Sequence, residues 1–368
     1  MNILAIIGWV LLAIVIVLLV AALGYVIYMQ AHYYRIPDHQ KLLVQNQQHD
    51  ELTAGKQYSA VTMNVGFGCY NQDFDFFMDV GELKDGTKLR GHRGKGISRQ
   101  AVQDATDGAM NAVGAQDADF MIFQEIDTHS NRSYFINQVR QFEKHFTDYA
   151  HVFAYNFHSP YLVVPLNDPH GAVQSGLLSM SKYRMASAER RQYPVSSAFI
   201  PKFVDLDRCF VAMRFPVDNG KTLLFINSHM SAYDKGGTIR DAQLKLLFSI
   251  METEYKKGNY VIVGGDFNHA FGKDMLGKLA HEEKVPAWIN MFEQSMMPDG
   301  FTMVLADNRD TIGTDRSPDI PFDPKVNYQT VCDGFLVSAN VEPHAHNIDT
   351  QFKYSDHNPV RLDFVLKA

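Results

Sequence analysis

No charged side chain occurs in residues 1–34, whereas all 75 charged side chains lie in residues 35–368. That asymmetry splits the chain before any finer reading begins. Ile3 to Tyr28 form an unbroken run dominated by Leu, Ile, Val and Ala. As a helix the run reaches about 39 Å, enough to cross a hydrocarbon core of about 30 Å with some tilt. Trp9 and the tyrosines 25, 28, 33 and 34 sit where interfacial aromatics belong. A cleaved signal peptide would carry a basic leader and a shorter apolar run, so the segment reads as an uncleaved anchor. Arg35 and Lys41 follow it, too few cations to set its orientation.

The remainder reads as three parts with the anchor: residues 1–30 as transmembrane segment, 31–57 as a polar, Gln-rich stalk, and 58–368 as one catalytic-sized domain. Apolar residues make up 46% of the chain and charged residues 20%, which excludes a disordered scaffold. Three scattered cysteines, at 69, 209 and 332, exclude a disulfide framework and a thiolate zinc site. From residue 58 short apolar runs alternate with helical stretches. Strands are expected at Ala60–Val65, Phe120–Phe123, Gly176–Met180, Thr222–Ile226, Tyr260–Val263, Gly334–Ser338 and Val360–Val365, and helices at Ser98–Val113, Tyr134–His145 and Arg240–Tyr255. The mixture is α/β or α+β around a substantial sheet core. Two connections stand out. Residues 84–99 carry six Lys/Arg against one Asp, a +5 stretch in a chain whose remainder is −12. Residues 298–329 are rich in Pro, Asp and Asn and read as an extended surface loop.

Polar residues recur at the boundaries of the apolar runs. Asn64 sits near the end of SAVTMNVGF, Glu125 follows DADFMIFQ, His229 follows TLLFINS, and Asp266 and Asn268 follow YVIVGG. Asp333 opens DGFLVS, and Asp356 with His357 precedes the last run. One such residue is an ordinary turn former or cap. Eight at six boundaries indicate a site held by the ends of buried strands. Glu125, Asp356, Asp266, Asn64 and Asn268 offer hard oxygen and no sulfur, which favours Mg²⁺ or Mn²⁺. His229 and His357 add proton transfer and hydrogen bonding to a developing negative charge. Metal-assisted hydrolysis of a phosphate ester fits these parts; no Gly-x-Ser-x-Gly elbow supports acyl transfer.

The ordered set Asn64, Gln124-Glu125, Asn227-x-His229, Gly265-Asp266-Phe267-Asn268, Asp333 and Ser355-Asp356-His357 resembles the endonuclease/exonuclease/phosphatase superfamily, of deoxyribonuclease I-like fold, over residues 58–368. SNRSYFINQ (130–138), SGLLSMSKY (175–183) and SAYDKGGTIRDAQ (231–243) look like a membrane-anchored bacterial branch of it. The resemblance implies a four-layer αββα sandwich of two mixed sheets with the site at one end. It also implies roles: Glu125 as the main metal ligand with Asn64 and Asp356, and Asp266 and Asn268 positioning water and phosphate. His357 would act as general base oriented by Asp333, with Asp266 as the competing base, and His229 would stabilise the phosphorane-like charge. Asp333 stands in Cys-Asp-Gly-Phe, where many members have Asp-Tyr or Asp-His.

The leading expectation is a membrane-tethered, Mg²⁺-dependent phosphoesterase, acting on a phosphodiester in the first reading. Its substrate is nucleic acid, favoured by the 84–99 loop, or a phospholipid headgroup or inositol phosphate, favoured by the anchor and the acidic balance elsewhere. Arg132, Asn156, Lys182 and Arg240 are candidate phosphate contacts, each equally an ordinary ion-pair or hydrogen-bond partner. A tethered module that holds a phosphorylated ligand without turnover is the non-enzyme alternative. The lipid bilayer is the expected second partner, and no protein partner is evident in the sequence. The other 13 histidines, including His158 and His170, read as loop or surface residues.

Overall fold

Every expected apolar run forms a strand, and most extend into the polar residues at their boundaries. The computed structural model describes residues 2–196, 198–199, 201–232, 238–287 and 289–368. Residues 233–237, inside the 231–243 stretch, lie outside the described residues. In chain order the elements begin with α1 (Ile3–His32), β1 (Gln40–Leu42), β2 (Gln57–Asn64), α2 (Arg99–Gly114), β3 (Phe120–Asp127) and α3 (Gln138–His145). They continue with β4 (Ala150–Leu162), β5 (Gly171–Ser181), β6 (Ser187–Gln192), β7 (Cys209–Pro216), β8 (Thr222–His229) and α4 (Thr238–Lys256). The last are β9 (Tyr260–Asp266), β10 (Phe301–Val304), β11 (Asp333–Ser338), β12 (Val341–Asn347) and β13 (Val360–Leu366).

The strands form a seven-stranded sheet, β1-β6-β7-β8-β9-β11-β10, and a six-stranded sheet, β12-β13-β2-β3-β5-β4. Each has one parallel pair at its centre, β8 with β9 and β2 with β3. Both sheets are covered on both faces, which explains why their central strands read as continuous apolar runs. On β2, Tyr58 and Ala60 face the other sheet while Val61 and Met63 face α2 and α3. On β8, Leu223 and Phe225 face inward while Leu224 and Ile226 pack with Leu244, Leu247 and Met251 of α4. Phe120 stacks on Phe225 between the sheets, centroids 5.2 Å apart. This is the four-layer sandwich, preceded by the long apolar helix.

One polar contact interrupts that apolar interface. Gln124 Nε2 donates to Asn227 Oδ1 (2.8 Å), and Asn227 Nδ2 donates to the carbonyls of Phe123 and Leu178 and to Ser179 Oγ. Both side chains are fully buried. The pair joins the two sheets immediately behind the strand ends.

Several expectations change. Residues 31–57 are not a free stalk: Gln40–Leu42 pairs with β6, Gln45 bridges His151, and Ile36 and Leu52 are buried. The physical reason is Arg190, which is fully buried and spends its donors on the carbonyls of Pro37, Tyr155 and Asp207. The helix expected from Tyr134 begins only at Gln138, because Tyr134 and Phe135 take left-handed backbone (φ 53° and 58°) and Asn137 caps the first turn. The 298–329 segment is not a surface loop throughout: Thr314–Ser317 and Asp319 are buried, and Asp315 and Arg316 pair with Gln329 and Thr330. His170 is buried rather than superficial, as are His151 and His269.

A second acidic pair lies apart from the strand ends. Glu283 and Asp319 are buried together beneath Gly81, where any Cβ would collide with both carboxylates. Glu283 Oε2 accepts from the Tyr328 amide (2.6 Å), but Oε1 and both Asp319 oxygens have no partner among the described residues. Burial, followed by the Asp319 charge, raises the Glu283 carboxyl from its usual 4.5 to about 8. The folded chain therefore keeps a proton that the unfolded chain releases. The associated stability is present below about pH 4.5 and is lost as pH rises through about 8. Urea titrations across that window should show a downward slope that Glu283→Gln flattens; an unchanged slope in the variant would rule out the pair as its source.

Candidate active site

Two parallel registers and one antiparallel one bring the site residues to one edge. His229 lies opposite Asp266, Asp266 opposite Asp333, and Asn64 opposite Gln124. Gly265 makes the first of these contacts possible: its φ is 142°, and a Cβ would strike the Ser228 carbonyl on the adjacent strand. Glu125 follows Gln124 with a left-handed φ of 53°, where the register of β3 against β5 slips between Phe123 and Ile126. That bulge lets Gln124 stay in the inter-sheet core while Glu125 reaches the half-buried mouth.

Asp266 is the hub of the hydrogen-bond network. Its Oδ2 accepts from Asn64 Nδ2 (3.0 Å) and Asn268 Nδ2 (3.1 Å), and its Oδ1 accepts from the Asn268 amide (2.8 Å). Asn268, at φ 51°, also donates to the Met230 carbonyl. Ser355 Oγ donates to the Asn64 carbonyl (2.8 Å) and stands 3.1 Å from Asp356 Oδ1, linking the last loop to β2. His357 Nδ1 pairs with Asp333 Oδ2 at 2.8 Å. Its Nε2 faces Asp315 Oδ1 at 3.7 Å and Asp266 Oδ2 at 4.0 Å. His229 Nε2 accepts from Arg208 Nη1 and lies 3.5 Å from Asp266 and 3.7 Å from Glu125. Asn156 Nδ2 stands 3.4 Å from His229 Nδ1, and Asn156 Oδ1 has no partner among the described residues. Exchanging the amide's O and N would give Nδ1–H an acceptor.

The two histidines are driven apart. Burial, then the positive charges of Arg208 and His357, hold His229 well below the usual imidazole range, so it is neutral. Burial acts the same way on His357, but Asp333, Asp315 and Asp356 outweigh it and raise that imidazole well above its usual value. Glu125, Asp266, Asp315, Asp333 and Asp356 are all raised, burial being the largest cause in each. Four buried carboxylates and the half-buried Glu125 thus crowd one imidazolium with Arg132, Arg208 and Arg316 nearby, an arrangement short of positive charge.

A hard divalent cation fits that deficit. The carboxylate of Glu125 accepts no hydrogen bond from a described residue, and Asp333 Oδ1 is buried without a partner. Two compact groups, Asp266–Asp333–His357 and Asp315–Cys332–His357, have ligand atoms within 4.8 Å of one another. In both, however, His357 Nδ1 is already paired with Asp333 Oδ2; the oxygens left uncommitted among the described residues include those of Glu125 and Asp333 Oδ1. The Cys332 thiol is held neutral by burial and the neighbouring carboxylates, which leaves oxygen as the donor set.

The four candidate phosphate contacts separate. Asn156 meets His229. Buried Arg240 donates to the Ala232 carbonyl, two residues beyond Met230. Arg132 is buried and committed: it makes a two-point pair with Asp127 (2.9 and 3.1 Å), reaches His170 Nε2 (3.3 Å) and lies 3.5 Å over the Phe67 ring. Lys182 is at the wrong end of the sheet. It pairs with Asp117, beside the start of β3, because Ser181 is in register with Phe120. Three of the six cations of the basic 84–99 loop are paired with carboxylates from outside it, Lys88 with Glu82, Arg93 with Asp75 and Lys95 with Asp168.

Two residues of the site escaped the sequence reading. Arg208 immediately precedes β7, so the boundary rule that found the others would have found it had that strand been recognised. Asp315 sits among many acidic and amide residues in what read as a loop, and nothing local distinguishes it.

Residues 95–363 match the family described as Endonuclease/Exonuclease/phosphatase family 2. A search of curated proteins returned no match. Among solved structures, an endonuclease/exonuclease/phosphatase from Beutenbergia cavernae is similar, with 13% identity, TM-score 0.55, and coverage of 85% of this chain and 72% of that one. ANGEL2, a 2′,3′-cyclic phosphatase, has 13% identity and TM-score 0.53 over 91% of this chain and 100% of its own. TDP2 of D. rerio, complexed with a single-strand DNA product, has 15% identity and TM-score 0.52 over 84% and 99%. At such identities these structures speak for the fold, and the matched family speaks for membership. With the sandwich, the edge site and the family match in agreement, the chain belongs to endonuclease/exonuclease/phosphatase family 2, a family of metal-dependent phosphoric ester hydrolases.

Proposed function

We propose that the chain is a membrane-anchored hydrolase that cleaves a phosphodiester with Mg²⁺ or Mn²⁺. The observation that carries this reading is the convergence of Glu125, Asp266 and Asp356 with His229 and His357 at one edge of the paired sheets. The proposed division is an anchor at 1–30, a connecting segment at 31–57 and a catalytic domain at 58–368. The 30-residue α1 supports single-pass insertion, in a bacterial cell membrane on the sequence resemblance.

Glu125, with Asn64 and Asp356, would hold the cation. When bound it would polarise a phosphoryl oxygen and supply the missing positive charge. Asn268 and Asp266 position water and phosphate, their side chains fixed by the Met230 carbonyl and by Asn64. Two groups 4.0 Å apart are placed to take the water's proton: Asp266 Oδ2 directly, and His357 Nε2 once the imidazolium has released its own proton. Asp333 orients the ring by holding Nδ1. Neutral His229 is the acceptor for Arg208, so the cation beside the developing negative charge is the guanidinium, which His229 aims. Arg132 is a positioning residue: it braces Asp127, two residues beyond Glu125.

Purified full-length protein should hydrolyse a simple phosphodiester with Mg²⁺ or Mn²⁺ and stop with EDTA. Glu125→Ala and His357→Ala should each lower kcat by about 10²-fold or more; wild-type turnover in either would sink the assignment. Asp127→Ala, which strands a buried guanidinium, should cost about 3–5 kcal/mol in urea unfolding. Adding Arg132→Met should recover most of that loss. Equal instability of the single and double variants would show that the pair is not the cause.

A further inference from the structure

Helix α1 leaves the domain at the edge that carries the candidate site. Met29 is buried in a cluster with Phe157, Leu162, Val173 and Phe203. One turn nearer the N-terminus, Tyr25 donates to the Tyr161 carbonyl (2.9 Å). Along β4 the step from Phe157 to Tyr161 leads away from the sheet body. Phe157 is in register with Ser175, Ser175 with Asp127, and Asp127 lies two residues past Glu125. The helix therefore runs toward its N-terminus in the direction in which the strand ends point, outward past Glu125 and His229.

The segment after the helix is fixed at the same edge. Arg35 pairs with Asp207 (2.6 Å), the Ile36 amide donates to the same carboxylate (3.2 Å), and the next residue, Arg208, holds His229. Lys202 reaches Gln30 (2.7 Å).

Around this junction the surface is apolar. Val164 and Leu166, at the tip of the β4–β5 hairpin, are 45% and 81% exposed, and Tyr161 and Val204 are also exposed. Between the hairpin and the Arg132 segment lies a hollow of about 250 Å³, lined in part by Tyr161, Phe135, Lys95 and Arg99. Aromatic and aliphatic side chains next to cations are the composition that settles at the boundary between headgroups and acyl chains. That surface is continuous with a helix long enough to cross the bilayer, so the bilayer is the occupant that covers it.

We propose that the mouth of the site rests on the membrane that α1 enters, with the hairpin tip at the headgroup boundary, and that the phosphate ester it takes is carried on a lipid headgroup. The seating rests on the contacts above together with the reading of α1 as a membrane anchor; the substrate class also rests on the phosphoesterase reading. A nucleic acid in solution would have to reach a mouth that faces lipid.

The three native cysteines are buried, so a single introduced cysteine can be labelled in the full chain. Leu166→Cys, His129→Cys at the mouth and Lys256→Cys at the opposite end of the domain would each carry an environment-sensitive fluorophore. The protein would be reconstituted in vesicles of phosphatidylcholine with phosphatidylglycerol. Lipid-borne quenchers should quench position 166 strongly and position 129 measurably, and leave 256 as in water. Position 166 as water-exposed as 256 would overturn the seating, whether or not the protein hydrolyses anything.

Turnover tests the substrate class: release of phosphorylated headgroup from the same vesicles is compared with hydrolysis of soluble glycerophosphoglycerol and with plasmid nicking. Leu166→Asp should lower vesicle turnover at least about tenfold and leave soluble turnover unchanged. Equal vesicle rates in wild type and variant, or efficient plasmid nicking by the reconstituted protein, would overturn the lipid assignment. Correct depth with no turnover on any substrate would instead refute the phosphoesterase reading.

Discussion

The buried amide pair of Gln124 and Asn227 is the contact on which the rest of the site depends. Two apolar sheet faces can slide over each other at little cost, because hydrophobic burial has no direction. A pair of buried carboxamides cannot slide: each must find its partners or bear the cost of desolvation. Asn227 satisfies the Gln124 amide and two carbonyls of the opposite sheet only in one alignment. That alignment sets His229, two residues on, against Glu125, one residue on. The distance of 3.7 Å between them is a consequence of the register.

The charge at this edge is the second constraint. Carboxylates at the ends of buried strands raise one another and lose solvation, a state that a folded protein tolerates only where something offsets it. Here the offsets are uneven. Asp333 has an imidazole, Asp127 a guanidinium and Asp266 a set of amide donors, while Glu125 has the charges of Arg132, Arg208 and His357 nearby but accepts no hydrogen bond from a described residue. The left-handed backbone at Glu125 adds strain at a carboxylate that accepts no hydrogen bond from a described residue. Strain and unsatisfied charge on the same residue are what a cation-binding role would require.

The sequence made the centre of the fold legible and left its margins obscure. Strands covered on both faces announce themselves as apolar runs, so β2, β3, β8, β9 and β11 could be read directly, while β13 is legible through the alternation of its buried and half-exposed residues. Strands β4, β6 and β12 carry His151, Arg190 and His344 among their residues, and half-covered or charged strands lack that signature. The same limit explains the site. Residues at the ends of legible strands were found, whereas Arg208, at the start of an unrecognised strand, was not. Lys182 looked like the others because sequence says that a cation ends a strand but not which end of the sheet that is. The register of Ser181 with Phe120 decides it.

The packing of residues 25–57 against the domain also fixes a length. A flexible linker of 27 polar residues would let a domain wander about 30 Å from its attachment point. Here Met29, Arg35, Ile36 and the strand Gln40–Leu42 are each fastened to the body. The domain has almost no leash. Its reach along the axis of α1 is set by side-chain contacts, so in the proposed membrane-inserted state the depth of the helix and the height of Glu125 above it would be one coordinate rather than two.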